Sequence, residues 1–151
     1  SANPPHKTAE STAAYEHRHR MVEIACASDP RFEPSRLEDH PGRSYSHDTI
    51  LRAKAELPST DELFFLIGAD AFADIGTWHR SAEVLAMVEF VVVSRPGYRY
   101  PIPEGTRVHR LESLALQISS SEIRRHLDEG RADVDLPPGV LDYIHQHSLY
   151  Q

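Results

Sequence analysis

Residues 118–124 read Ile-Ser-Ser-Ser-Glu-Ile-Arg, and three consecutive hydroxyls at the start of a helical stretch are suited to holding an anion. Ser119, Ser120 and Ser121 set side-chain donors beside the backbone N–H groups that a first helical turn leaves unpaired. With the positive end of the helix dipole, they suit a phosphate. Arg124 lies one turn further on and can aim a guanidinium at the same charge. Helix capping alone also accounts for the serines, since Ser119 and Glu122 have capping-box spacing. Gly68-Ala69-Asp70 follows the apolar run Leu63–Ile67, and Ser94-Arg95-Pro96-Gly97 follows Phe90–Val93. Ligands of open α/β sheets bind beyond the carboxyl ends of the strands, which makes Gly68, Asp70 and Arg95 candidates for one site. As turn and cap residues, they need no ligand at all. Trp78, the only tryptophan, serves either as core or as a stacking platform. No Gly-x-Gly-x-x-Gly and no Gly-x4-Gly-Lys occurs, which excludes the usual phosphate cradles.

Metal chemistry has little support. His17/His19 and His145/His147 are spaced i,i+2, which puts paired rings on different faces of a helix. There is no His-Glu-x-x-His and no paired-cysteine pattern, so no structural zinc is expected. Cys26 is the only cysteine and reads as a small buried helix residue, so no internal disulfide can form and a reducing cytosol is expected.

Elements able to position these groups follow from periodicity and punctuation. Helices are predicted over Ala13–Ser28, capped by Ser11 or Thr12 with Ala14, Met21, Ile24 and Ala25 as a partial apolar face, and from Ser46 or His47 to Leu57. Further helices are predicted over Ala69–Ala73, Ala82–Met87, Ser119–Glu129 and Pro138–His147. Leu63–Ile67 and Phe90–Val93 are apolar at every position, as in central strands of a parallel sheet covered on both faces. Thr106–Leu111 is a weaker strand, and Arg31–Glu38, interrupted by Pro34, an edge strand or extended loop. Strands alternating with helices predict an α/β fold, a Rossmann-like open parallel sheet flanked by helices with a small C-terminal helical part. The 151 residues suit a single domain. The net charge of −7 argues against a nucleic-acid or membrane-surface partner. No apolar run approaches the roughly 20 residues of a membrane span.

Taken in order, the segments resemble bacterial nicotinate-nucleotide adenylyltransferases. The likeness is carried by Asn3-Pro4-Pro5-His6-Lys7, by Glu16-His17-Arg18 with Met21, and by Ser44-Tyr45-Ser46-His47-Asp48-Thr49. It continues through Leu66-Ile67-Gly68-Ala69-Asp70, Thr77-Trp78, Ser94-Arg95-Pro96-Gly97-Tyr98 and Ile118-Ser119-Ser120-Ser121 with Arg124, to Tyr143-Ile144 and Leu149-Tyr150. The resemblance implies a cytoplasmic enzyme of NAD synthesis that moves the adenylyl group of ATP, with Mg²⁺, to nicotinate mononucleotide. It implies an ATP site from Gly68, Asp70, Arg95, Ser119, Ser120, Ser121 and Arg124. Ser46 and His47 would meet the nicotinate carboxylate, partly through backbone N–H, with Trp78 stacked on the pyridine and His79 assisting through its backbone. His6 and Lys7 would lie near the phosphates, and Arg124, Lys7 and Arg95 would carry the charge-bearing roles. No metal ligand is assigned, and a homo-oligomer is a possible partner state.

Alternative expectations are nicotinamide mononucleotide or phosphopantetheine as acceptor, or a catalytically incomplete nucleotide-binding homologue. Serine stands at positions 46 and 121 where the family usually has threonine, which keeps the hydroxyl. The family's opening strand, glycine-rich turn and His-x-Gly-His motif do not occur within the 151 residues. They are expected ahead of Ala2, so that Ser1 is not expected to be where the protein starts.

Overall fold

The computed structural model describes residues 1–3, 13–113, 120–131 and 134–150. In chain order they form α1 (Tyr15–Cys26), α2 (Ser46–Glu56), β1 (Phe64–Gly68), α3 (Ala69–Ala73), a 3-10 turn (Ile75–Thr77) and α4 (Ser81–Met87). These are followed by β2 (Glu89–Ser94), β3 (Val108–Glu112), α5 (Ser120–Asp128) and α6 (Pro138–Gln146). Contacts group them into two compact units, residues 42–116 and residues 1–41 with 117–151.

In the unit of residues 42–116 the three strands run parallel in the order β1-β2-β3. Leu66 lies opposite Val91 and Gly68 opposite Val93. A parallel pair needs a crossover back to the starting edge, and α3, the 3-10 turn and α4 supply it between β1 and β2. The core collects on one face, where Phe72, Val84, Phe90 and Val92 are all 0% exposed. The Phe72 and Phe90 rings stand 5.3 Å apart and tilted, and Ile50 of α2 and Ile75 join them.

The alternation of buried and half-buried residues along β2 fits its central place. β1 departs from the expectation. It is an edge strand of the described sheet, with Ile67 buried but Leu66 67% and Phe64 44% exposed. The apolar core of this unit lies on the Phe65/Ile67 side, so an uninterrupted apolar run did not report two covered faces. β3 starts two residues later than predicted, because the Thr106 N–H is taken by the Pro103 carbonyl in a turn. Segment 31–38 forms no strand and is loop with turns.

In the other unit, α1 and α6 pack together, and Leu127, Val140 and Ile144 are buried with Met21, Ile24 and Ile123 against them. Ala14 and Ala25 are exposed and take no part in the apolar face. Helix α1 is shorter than predicted at both ends. Its N-cap, Ala14, offers no side-chain bond, and the predicted caps Ser11 and Thr12 lie outside the described residues. Cys26 closes α1 half-buried, not fully buried. Helix α5 gives way at Gly130, whose φ of 70° is the left-handed conformation glycine adopts without strain. Among the described residues no helix is long and apolar enough to cross a membrane.

The fully buried ring of Phe72 makes a direct test of this packing. Phe72→Ala should cost about 3–5 kcal/mol in urea unfolding, and a loss below about 1 kcal/mol would contradict the core as described.

Candidate active site

The first cluster forms around the start of α2. Tyr45 is its N-cap in extended conformation, and the Tyr45 carbonyl accepts the Asp48 and Thr49 N–H groups at 3.0 and 3.1 Å. The Ser46 and His47 N–H groups stand one turn too early for an acceptor inside the helix. They sit at the positive end of the dipole, where a carboxylate is stabilised. The His47 imidazole turns inward and is 2% exposed. Its Nδ1 lies 2.8 Å from Asp48 Oδ1 and its Nε2 3.4 Å from Glu83 Oε2. Glu83 in turn accepts both arms of the Arg80 guanidinium, at 2.6 and 2.5 Å.

Arg80 is the N-cap of α4 and takes φ 54°, ψ 44°, a left-handed conformation that is costly for a side chain with a Cβ. Trp78 and His79 stand just before it. The His79 ring lies 4.4 Å from the Tyr45 ring, tilted by 32°. The Trp78 indole is half-buried, edge-on to Phe65 at 6.0 Å. Within this unit His47 and His79 therefore meet at the start of α2, and Trp78, the neighbour of His79 in the chain, packs on Phe65.

The second cluster lies at the carboxyl ends of β1 and β2. Gly68 ends β1, Asp70 falls in the first turn of α3, and Arg95 opens the turn after β2. Pro96 and Gly97, the latter at φ 75°, make a type II turn closed by Tyr98 N–H to the Arg95 carbonyl at 3.0 Å. The Asp70 carboxylate beside the Tyr98 phenol pushes that phenol above its ordinary value. Gly68, Asp70 and Arg95 are all exposed. A Cβ at Gly68 would meet nothing within 4 Å, so neither packing nor backbone demands glycine there. Its effect is to leave open backbone at the edge where ligands approach.

In the other unit, Ser120 and Ser121 are exposed at the start of α5, and Arg124 Nη2 donates to Ser121 Oγ at 3.3 Å. The predicted site residues His6, Lys7 and Ser119 lie outside the described residues. His17 and His19 diverge as their spacing requires. His17 meets the Tyr143 hydroxyl at 2.9 Å, and His19 lies beside Glu23 at 3.1 Å. Among the described residues no group of three or more His, Cys, Asp and Glu is arranged to hold a metal ion. A cavity of ≈ 360 Å³ bordered by Lys54, Leu57, Phe64, Glu89 and Arg107 lies at the amino ends of the strands, the end opposite to the one that binds ligands in such sheets.

Five contributors had no role assigned from the sequence: Tyr45, Asp48, Arg80, Glu83 and Tyr98. Only the Arg80/Glu83 pair carried a signal, its i,i+3 spacing of opposite charges.

The His47 imidazole beside Asp48 holds that carboxyl below its ordinary range. The Arg80 guanidinium is the main cause of the same lowering at Glu83, with His47 adding to it. A lowered carboxyl contributes stability that is complete above its unfolded pKa and is lost as pH falls through the folded value. The thermal midpoint of the protein should therefore fall on acidification from about pH 5 to 3, and less steeply for Asp48→Asn, by a modest margin given the solvent screening. Equal slopes would show that the Asp48–His47 contact does not form.

Three comparisons with known proteins bear on these clusters. Residues 1–126 match the family described as cytidylyltransferase-like. A Solibacter usitatus protein described as "Probable nicotinate-nucleotide adenylyltransferase" is 53% identical over 150 residues, 99% of this chain and 80% of the relative. One of the same description from Thermus thermophilus is 44% identical over 156 residues, 100% of this chain and 80% of the relative. Among solved structures, Plasmodium falciparum nicotinic acid mononucleotide adenylyltransferase complexed with APC aligns with a TM-score of 0.71 at 24% identity. That alignment covers 91% of this chain and 76% of the other, a likeness of fold.

Proposed function

The chain belongs to the cytidylyltransferase-like family of nucleotidyltransferases, among the nicotinate-nucleotide adenylyltransferases, and from that premise we propose how its residues perform adenylyl transfer from ATP to nicotinate mononucleotide in NAD synthesis. The observation that carries this assignment of roles is the approach of His79, next to Trp78 in the chain, to Tyr45 and His47 at the start of α2. A pyridine carboxylate has a flat ring and one anionic edge. The ring stacks on the Trp78 indole, and the carboxylate takes the N–H groups at the start of α2.

The acceptor's own phosphate is the nucleophile. The second pKa of a phosphate monoester is about 6, so it is ionised at neutral pH and needs no general base. One of its oxygens bonds to the α-phosphorus of ATP as the bond from that phosphorus to the β-bridging oxygen breaks, and pyrophosphate leaves. The residues that act are those that position and neutralise charge. Gly68 and Asp70 receive the nucleoside, Arg95 and Arg124 face the phosphates, and Ser119 to Ser121 offer donors at the start of α5. His6 and Lys7 add cationic character near the phosphates. Mg²⁺ enters on the triphosphate as part of the substrate and lowers the charge that the acceptor phosphate meets. The reaction belongs to the cytoplasm, where ATP and the mononucleotide are found together.

Pyrophosphate release in the presence of ATP, Mg²⁺ and nicotinate mononucleotide tests the assignment. Trp78→Ala should raise KM for the mononucleotide about tenfold or more while KM for ATP stays within about twofold. Arg124→Ala should lower kcat by about 10². A protein that releases no pyrophosphate with this acceptor, or a Trp78→Ala variant with unaltered kinetics, would overturn it.

A further inference from the structure

We propose that His47 is a positioning residue for the acceptor mononucleotide: its buried imidazole bridges Asp48 on α2 and Glu83 on α4, and thereby holds Trp78 in register with the N–H groups that receive the carboxylate. This rests on the acceptor assignment above and adds the device that keeps its two halves aligned.

The two halves belong to different elements. The N–H groups open α2, whereas Trp78 and His79 sit in the crossover between β1 and β2. A flat ring with an anionic edge is recognised only if plate and helix end keep a fixed spacing, because misplacement of about 1 Å is enough to lose much of the benefit of orientation. Besides the apolar packing of Ile50 and the edge-on approach of His47 to His79, two links span the gap. One is the His79 ring on the Tyr45 ring at 4.4 Å. The other is the chain Asp48–His47–Glu83–Arg80, with links of 2.8, 3.4 and 2.5 Å.

The second contact acts where the crossover is strained. Arg80 holds φ 54° without being glycine, and its guanidinium fork on Glu83 keeps that turn closed. His47 is what connects this fork to α2. An aliphatic side chain would fill the same buried volume, but a buried polar ring is tolerated only when its nitrogens find partners, and here both do. The groups facing the imidazole are Asp48 from its own helix, Glu83 from α4 and the edge of the His79 ring at 6.4 Å. Arg80 lies behind Glu83.

The only tryptophan of the chain is the one being positioned, so its emission reports the effect without any substrate. Purified wild type, His47→Val, His47→Gln and Glu83→Gln are compared by acrylamide quenching of Trp78 and by KM for each substrate. Glu83 is half-exposed, so Glu83→Gln leaves the core intact and decides the matter even if His47→Val fails to fold. His47→Val and Glu83→Gln should raise the quenching constant about twofold and KM for the mononucleotide about tenfold, with KM for ATP moved less than about twofold. His47→Gln, whose amide can still donate to Glu83, should stay near wild type in both. Unchanged Trp78 quenching in His47→Val and Glu83→Gln would overturn the inference, as would equal rises in KM for both substrates. A wild type that does not turn over nicotinate mononucleotide defeats the acceptor assignment alone, and the quenching series still judges the bridge.

Discussion

The parallel pairing of β1 with β2, Gly68 opposite Val93, is the constraint from which the rest of this unit follows. Parallel neighbours cannot be joined by a tight turn, so the chain must leave the carboxyl end of β1, cross one face of the sheet and re-enter at the amino end of β2. That crossover is short and its apolar residues are buried, with Phe72, Ile75 and Val84 all at 1% exposure or less. Two consequences follow. The loops after β1 and β2 emerge at the same edge, which lets the Tyr98 phenol reach Asp70. And the crossover brings His79, with Trp78 and Arg80 on either side of it in the chain, next to the start of α2, which a hairpin connection could not have done.

The charge arrangement serves the same end. Acidic side chains outnumber basic ones, 23 to 16, and many of the cations are taken up by exposed or half-buried carboxylates, as in Arg36–Glu16, Arg107–Glu89 and Arg125–Glu129. Pairs of that kind add little to stability. Arg124 differs, because its guanidinium rests on the Ser121 hydroxyl. A hydroxyl orients a cation without neutralising it, which suits the role proposed for Arg124 at the phosphates. The Arg80–Glu83 pair differs again, since it leads through His47 to Asp48 and so joins two elements.

Much of this was legible in the residues. The apolar runs, the glycine and proline punctuation and the Pro96-Gly97 turn located the strands and the carboxyl-end turns, because each depends on a local backbone or burial preference. The direction of the His47 side chain was not legible. Its partner Glu83 lies far along the chain, and only the tertiary packing of α2 on α4 brings them together. The exposure of Phe64 and Leu66 among the described residues was hidden for a related reason: hydrophobicity at every position does not say whether one face or two will be covered. Ala14 and Ala25 looked like core at helical spacing, but larger residues on the same helix, Met21 and Ile24, satisfy the packing against α6. Positions 6, 7 and 119 lie outside the described residues.

Acceptor recognition of the proposed kind requires that the pyridine ring meet Trp78 while its carboxylate meets the start of α2. Titration of nicotinate mononucleotide into the protein, followed by the emission of this single tryptophan, examines that contact without catalysis. Saturable quenching by the mononucleotide, abolished when ribose 5-phosphate without the pyridine ring is used instead, is the predicted result. Emission that stays unchanged while calorimetry shows the mononucleotide bound would contradict the account.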